Sequence, residues 1–272
     1  SHGYAWGYIG SCVPFLISLG IVLGNEALGI SMTVAMGISF FLNAAWWLVL
    51  TLPLLRNYNQ THYSPKREHA ILDTFVTLCR TFREIKSQKH IFLFLLAFFF
   101  FIDGVYTVID MATAFGSALG FDSTMLLLAL LLTQVVAFPF ALIFGKAAKK
   151  YRNDTLIKIC IVAYTAIALF AIQLDQVWEF WLLAGCVGMF QGGIQALSRS
   201  YFAKIIPPEK AGEYFGLFDI CGKGASFMGT ALVGLFTQMT GSTNWGISIL
   251  ALIFVIGLVL FHYAAKENPA RK

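Results

Sequence analysis

Long uncharged runs constrain this chain more than any other feature. Residues 1–25 contain no Asp, Glu, Lys or Arg, and neither do 27–55, 123–145, 159–174, 180–198 and 224–265. The last run is interrupted by Gly241-Ser242-Thr243-Asn244, so it supplies most of one span and all of the next. The stretch 91–119 is equally apolar but carries Asp103 and Asp110. A hydrocarbon core about 30 Å thick is crossed by roughly 20 apolar residues in a helix. The runs therefore predict eight transmembrane helices, at about 4–23, 29–55, 91–117, 124–145, 155–174, 177–198, 212–240 and 245–264. Composition agrees: 58% of the residues are hydrophobic and 12% charged, against about 25% charged in soluble domains. A soluble fold could not hide so much apolar surface. An ordinary soluble enzyme, a disordered chain and a nucleic-acid binder are excluded. The expected fold class is an all-α, polytopic helical membrane protein whose surroundings are the lipid bilayer.

The basic residues order the spans. Eighteen of the nineteen Lys and Arg fall in 56–90, 146–158, 199–210 and the C-terminal tail. The intervening turns near Glu26, Asp122, Asp175 and Gly241 have none. Cytoplasmic loops are the Lys- and Arg-rich ones, so strict alternation predicts both ends of the chain in the cytoplasm. Trp178, Trp181 and Trp245 fall at the expected outer edge, where an aromatic belt sits.

One connection is long. Residues 56–90 divide the chain into two spans (1–55) and six (91–272). Within it, the apolar positions 71, 72, 75, 76, 78, 82 and 85 recur at helical spacing with a basic opposite face. An amphipathic helix on the membrane surface is expected. The cysteines Cys12, Cys79, Cys160, Cys186 and Cys221 show no paired spacing. His62 and His69 have no carboxylate cluster around them. No metal site, cofactor or nucleotide loop is expected.

Ionisable groups inside a span cost about 2.5–3.5 kcal/mol each on insertion scales, so Asp103, Asp110, Asp219 and Lys223 each need a reason. Asp103, Thr107 and Asp110 follow i, i+4, i+7 spacing on one helix face. Counting rise from the basic ends brings Asp103 and Lys223 to similar depth, and Asp219 lies i−4 from Lys223, favourable for a pair. The expectation is a proton and charge network of these four, with a permanent packing salt bridge as the alternative. Thr107 is a substrate-path candidate, as are Gln191 and Gln195, which sit beside Gly188, Gly192 and Gly193 on the sixth span with interhelical glue as their alternative role. Gly3, Gly7 and Gly10 form a small-residue stripe suited to close helix contact. Arg199 and Glu213 flank Pro207-Pro208 and are candidates for a cytoplasmic gate.

Several blocks carry a resemblance. They are Gly192-Gly193-Ile194-Gln195-Ala196-Leu197-Ser198-Arg199-Ser200-Tyr201-Phe202, then Ile206-Pro207, Glu213, Phe215-Gly216 and Gly222-Lys223. Asp103-Gly104-Val105 and Gly3-Tyr4-Ala5-x-Gly7-Tyr8-x-Gly10 complete the set. Together they resemble the vacuole-effluxer-like branch of the major facilitator superfamily, which includes the fungal autophagy-related vacuolar amino-acid effluxers. Ile102 stands where that branch commonly has Asn. The superfamily's loop motif falls at Gly145, Lys146, Lys149, Lys150 and Arg152, with Lys149 in the place of its Asp. Gly145, Lys149, Lys150 and Arg152 thus join the gate candidates.

The resemblance implies a twelve-helix fold of two six-helix halves joined by a long cytoplasmic loop. On that plan residues 1–55 are the last two spans of the first half, 56–90 the linker and 91–272 the second half. The chain opens on Ser1, not Met, and reads as lacking earlier helices of the same chain. The implied function is secondary active transport of a small solute by alternating access. The solute is an amino acid by resemblance, protons the driving ion, and a bacterial inner membrane the location. The alternative from another class is a non-transporting membrane scaffold or sensor. No enzyme motif is present.

Overall fold

The computed structural model describes residues 2–59 and 70–267, with side chains from residue 3 to 59 and from 76 onward. The positions Ile71, Leu72 and Phe75 of the expected amphipathic face, with His62 and His69, lie outside the described side chains. So do Lys66, Arg67, Arg271 and Lys272.

The described chain is helical throughout its ordered elements. They are α1 (His2–Leu23), α2 (Met32–Asn57), α3 (Ala70–Ser87), α4 (Lys89–Ala118), α5 (Ser123–Lys150), α6 (Asn153–Ala171), α7 (Val177–Ile205), α8 (Ala211–Thr240) and α9 (Thr243–Glu267). All except α3 are long and apolar enough to cross a membrane, eight spans as the uncharged runs predict. Two boundaries differ instructively. Helix α7 continues past Arg199 and Lys204 to Ile205 and ends just before Pro207-Pro208, because charge marks the membrane's edge and not the helix's. Helix α6 ends at Ala171, three residues before the expected end. The freed Ile172 and Leu174 carbonyls accept from Asn244 Nδ2 at 3.1 and 3.3 Å.

Local chemistry sets the other ends. Asp122 caps α5 through the N–H groups of Thr124 and Met125 at 2.9 and 3.2 Å. Gln176 and Glu179 form a capping box on α7. Gly241 closes α8 at φ +69°, a left-handed conformation that only glycine adopts without a steric cost.

Contacts across the bundle establish an up-and-down order. Lys89 at the start of α4 pairs with Glu267 at the end of α9 at 2.9 Å. Asn153 at the start of α6 donates to Ser200 Oγ near the end of α7 at 3.3 Å. The opposite end joins the start of α9 to the end of α6 through Asn244. The loops with Lys149, Lys150, Arg152 and Lys210 thus share one end of the bundle with the tail of α9.

Helices α4–α9 share one core, in which Phe94, Phe98, Phe202 and Phe218 stack and Phe101 and Phe261 meet them edge-on. Glycines allow the closest crossings. A Cβ on Gly104 would lie 2.6 Å from the Phe254 ring, and one on Gly257 would lie 2.9 Å from Phe101 Cβ, so α4 and α9 pack backbone to side chain. A Cβ on Gly188 would lie 2.6 Å from the Thr133 carbonyl, and one on Gly192 would lie 3.0 Å from Ala141 Cβ. These two glycines lay α7 on α5. Helix α1 is held to α5 by a separate cluster of Ala5, Tyr8, Ala137 and Ala141. Helix α2 rests on α1, with Asn43 Nδ2 donating to Ser18 Oγ at 3.0 Å. Its outer face shows Phe40, Phe41 and Trp47.

Candidate functional site

Polar side chains from five helices meet in the gap between α1 and the six-helix core, with Gln134 supplied by α5. On α1 the residues are Tyr4, Tyr8 and Ser11, at i, i+4 and i+7. On α7 they are Gln191, Gln195 and Arg199, at i, i+4 and i+8. Helix α4 contributes Ile102 and Tyr106, and α8 contributes Asp219, Gly222 and Lys223. The gap has two parts. A narrow cavity of ≈ 90 Å³ lies among Tyr4, Tyr106, Gln195, Arg199, Asp219 and Lys223, floored by Phe98 and Phe218. An open chamber of ≈ 590 Å³ lies among Gly3, Gly7, Tyr8, Gln134 and Gln191. Tyr4 and Gln195 border both.

The charged residues pair differently from the sequence expectation. Arg199 Nη1 reaches Asp219 Oδ1 across α7 and α8 at 3.2 Å. Its guanidinium lies 4.9 Å over the Phe215 ring and 6.0 Å from that of Phe218. Asp219 therefore serves Arg199 and not Lys223 one turn further on. Lys223 is exposed to the cavity and makes no ion pair among the described residues. Glu213, expected opposite Arg199, accepts instead from Thr81 Oγ1 of α3 at 2.7 Å. Both partners of the Arg199–Asp219 pair are about half exposed, 45% and 49%. A pair so exposed stabilises a fold by about 0–1 kcal/mol, so both groups are available to a ligand at little structural cost.

Asp103 lies elsewhere. It is fully buried, and its Oδ1 accepts the backbone N–H of Gly229 on α8 at 2.8 Å. Its Oδ2 and the neighbouring Thr107 Oγ1 have no hydrogen-bond partner among the described residues. A Cβ on Gly229 would lie 2.8 and 2.9 Å from the two carboxylate oxygens. Only a glycine lets the carboxylate lie on the α8 backbone. Lys223 precedes Gly229 by six residues, which is about 9 Å along the axis and about 120° around it. The predicted meeting of Asp103 with Lys223 therefore does not occur in this conformation. Equal depth along two helices does not bring side chains together unless the helices are also rotated to face each other. Asp110 is exposed, on the Tyr106 side of α4.

The remaining candidates sort by position. Gly145 is half-buried, and Lys149 and Lys150 are exposed at the end of α5. Arg152 binds Asp154 through two contacts, Nε–Oδ1 at 3.0 Å and Nη2–Oδ2 at 3.2 Å, a pair local to the start of α6. Gly3, Gly7 and Gly10 were expected to pack closely. A Cβ built on any of them meets nothing within 4 Å among the described residues, and Gly3 and Gly7 border the open chamber. Close-packed glycines lie elsewhere, as at Gly188 and Gly192 on α7. Gln191 is buried with Oε1 unpartnered among the described residues, beside Tyr8. Tyr4, Tyr8, Tyr106, Gln134 and Gly229 are further residues of these sites, beyond the candidates that the sequence singles out. The helical spacing of Tyr4, Tyr8 and Ser11 was a readable signal for the first two. Gly229 carried none.

Eight apolar spans around a polar, charge-lined gap are the build of a multi-pass membrane protein of the major facilitator type. The chain belongs to the family described as vacuole effluxer Atg22 like, whose model matches residues 1–272. It is 42% identical over 270 residues to an uncharacterized MFS-type transporter, YxiO, of Bacillus subtilis, covering 98% of this chain and 63% of that protein. It is 28% identical over 283 residues to autophagy-related protein 22 of Coccidioides immitis, covering 94% of this chain and 46% of that protein. It is 27% identical over 307 residues to autophagy-related protein 22 of Saccharomyces cerevisiae, covering 100% of this chain and 57% of that protein. The chain thus spans about half to just under two thirds of these relatives. The family is named for an effluxer and the Bacillus relative as a transporter, not as enzymes.

Proposed function

We propose that this chain carries a substrate site of a secondary active transporter for a small zwitterionic solute, an amino acid in the first instance. The observation that carries the reading is the set of charges on the narrow cavity: Arg199 and Asp219 in mutual contact, with Lys223 unpaired beside them. A carboxylate fits Lys223 and Arg199, and an ammonium group fits Asp219. Gln195, Tyr4 and Tyr106 offer hydrogen bonds around it. The open chamber with Gln191 and Gln134 supplies a polar approach. In alternating access the solute trades places with the Arg199–Asp219 contact, so occupancy and helix closure become linked. Lys149, Lys150, Arg152 and Glu213 stand at the basic end, where an inner gate would form, and this end faces the cytoplasm of a bacterial cell.

Protons are the proposed driving ion and Asp103 the group that takes one up. Its single hydrogen bond holds α8 through Gly229, so a change of charge there acts on the helix that also carries Asp219 and Lys223. Asp103→Asn keeps an acceptor for the Gly229 N–H and nearly the same volume. In proteoliposomes with an imposed pH gradient, this variant is expected to lose gradient-driven accumulation of labelled amino acids while retaining counterflow exchange. Accumulation with an unchanged pH dependence rejects the proton role. Wild-type flux no higher than in empty liposomes favours the scaffold reading instead.

Orientation has its own test. Cys79 is exposed on α3, while Cys12 and Cys160 are buried. A membrane-impermeant maleimide is expected to label Cys79 in inside-out vesicles and to leave it unlabelled in intact spheroplasts. The reverse pattern inverts the topology.

A further inference from the structure

Helix α3 is held to the bundle by one face. Thr81 donates to Glu213, Lys210 Nζ reaches Glu84 Oε2 at 2.6 Å, and Gln88 Nε2 donates to Tyr214 OH at 3.0 Å. With fully buried Ile85, these positions follow i, i+3, i+4 and i+7 and form one stripe. A second stripe, Cys79, Phe82, Arg83 and Lys86, has the same spacing and points about 160° away.

That second stripe borders a groove of ≈ 470 Å³ between α3 and α8. Its walls are Leu78 and Phe82 from α3, with Leu217 and Ile220 from α8. Phe82 and Ile220 are 52% and 54% exposed, so the apolar wall is uncovered. Arg83 and Lys86 stand on its rim. Neither makes an ion pair among the described residues, and neither does nearby Arg80. The neighbouring acids are engaged on the other stripe, Glu84 by Lys210 and Glu213 by Thr81.

We propose that this groove is a binding site for one anionic phospholipid. The phosphate and headgroup charge lie against Arg83 and Lys86, and an acyl chain lies along Phe82, Leu217 and Ile220. The groove lies beside the starts of α4 and α8, at the basic end of the bundle where the expected topology puts the lipid headgroups. Two unpaired cations above an apolar wall match an amphiphile with an anionic head. A neutral solute would leave the cations unused, and an apolar partner would bury them uncompensated. Because α3 also holds the first turn of α8, lipid in the groove stabilises the α3–α8 junction.

Native mass spectrometry of the detergent-purified protein tests this, with phosphatidylglycerol and phosphatidylcholine of identical acyl chains. Wild type is expected to retain phosphatidylglycerol at about tenfold lower lipid concentration than phosphatidylcholine. Arg83→Gln with Lys86→Gln is expected to erase that preference. Lys149→Gln with Lys150→Gln, in the last turn of α5 and outside the groove, is expected to keep it. Ile220→Asp, at an exposed position, is expected to weaken retention of both lipids by removing the acyl contact. Equal retention of the two lipids by wild type overturns the proposal. So does a preference that survives in the Arg83/Lys86 variant, or one lost equally in the Lys149/Lys150 variant. Thermal midpoints without lipid establish that each variant is folded.

Discussion

Gly229→Val is expected to abolish the seating of Asp103 on α8 and to destabilise the protein strongly. The added Cβ alone would approach the carboxylate oxygens to 2.8 and 2.9 Å, and Thr107 more closely still. Neither neighbour has room to turn, since both are fully buried. Helices α4 and α8 must separate, and the carboxylate loses its N–H donor. Overpacking costs about 1–3 kcal/mol, and a stranded buried acceptor adds about 1–3 kcal/mol. The sum shifts a thermal midpoint in detergent by roughly 10 °C at about 2–4 °C per kcal/mol. Gly224→Ala, five residues earlier on α8, is the control. A Cβ there meets nothing within 4 Å among the described residues, so its midpoint should stay or rise slightly. Combining Gly229→Val with Asp103→Ala makes room and should recover part of the loss, a coupling that only contacting residues show. A Gly229→Val protein as stable as wild type removes the contact from consideration.

The second large effect concerns the cavity charges. Lys223→Gln is expected to reduce uptake of a transported amino acid at low concentration by at least about tenfold, through KM. A hydrogen bond to a charged group contributes about 1.5–3 kcal/mol, and each 1.4 kcal/mol is about tenfold in affinity. The thermal midpoint should be unchanged, because Lys223 holds no ion pair among the described residues. Arg199→Gln should be at least as damaging, since it removes a ligand for the carboxylate and the partner of Asp219. Arg199→Lys should restore part of the flux, as the charge returns without the stacking over Phe215. Uptake by Lys223→Gln with wild-type KM rejects the assignment of this lysine to the solute. A uniform loss of folded protein across these variants assigns the charges to packing.

The eight spans were legible because crossing a bilayer depends on about twenty consecutive residues, and apolarity is written residue by residue. The grouping of Lys and Arg at one end followed from the same local property. The flagged Gln195, Arg199, Asp219 and Lys223 do border one cavity, because helical spacing already placed each pair on one face. Partner choice was not legible. By helical spacing Asp219 fitted Lys223, yet α7 brings Arg199 within 3.2 Å of it and takes the pair. The stripe of Gly3, Gly7 and Gly10 looked like a packing face and borders open space, while Gly188 and Gly192 take that role. A glycine's significance lies in the atoms opposite it, which belong to another helix.

By itself the sequence determined which segments enter the membrane, which end collects the basic residues and which residue types share a helix face. Tertiary structure alone decided which charge meets which. A turn of 100° or a slide of 1.5 Å per residue exchanges one partner for another. Rotation and stagger are set by close crossings such as Gly257 on Phe101 and Asp103 on Gly229. Those contacts join residues far apart in the chain, so no local pattern contains them.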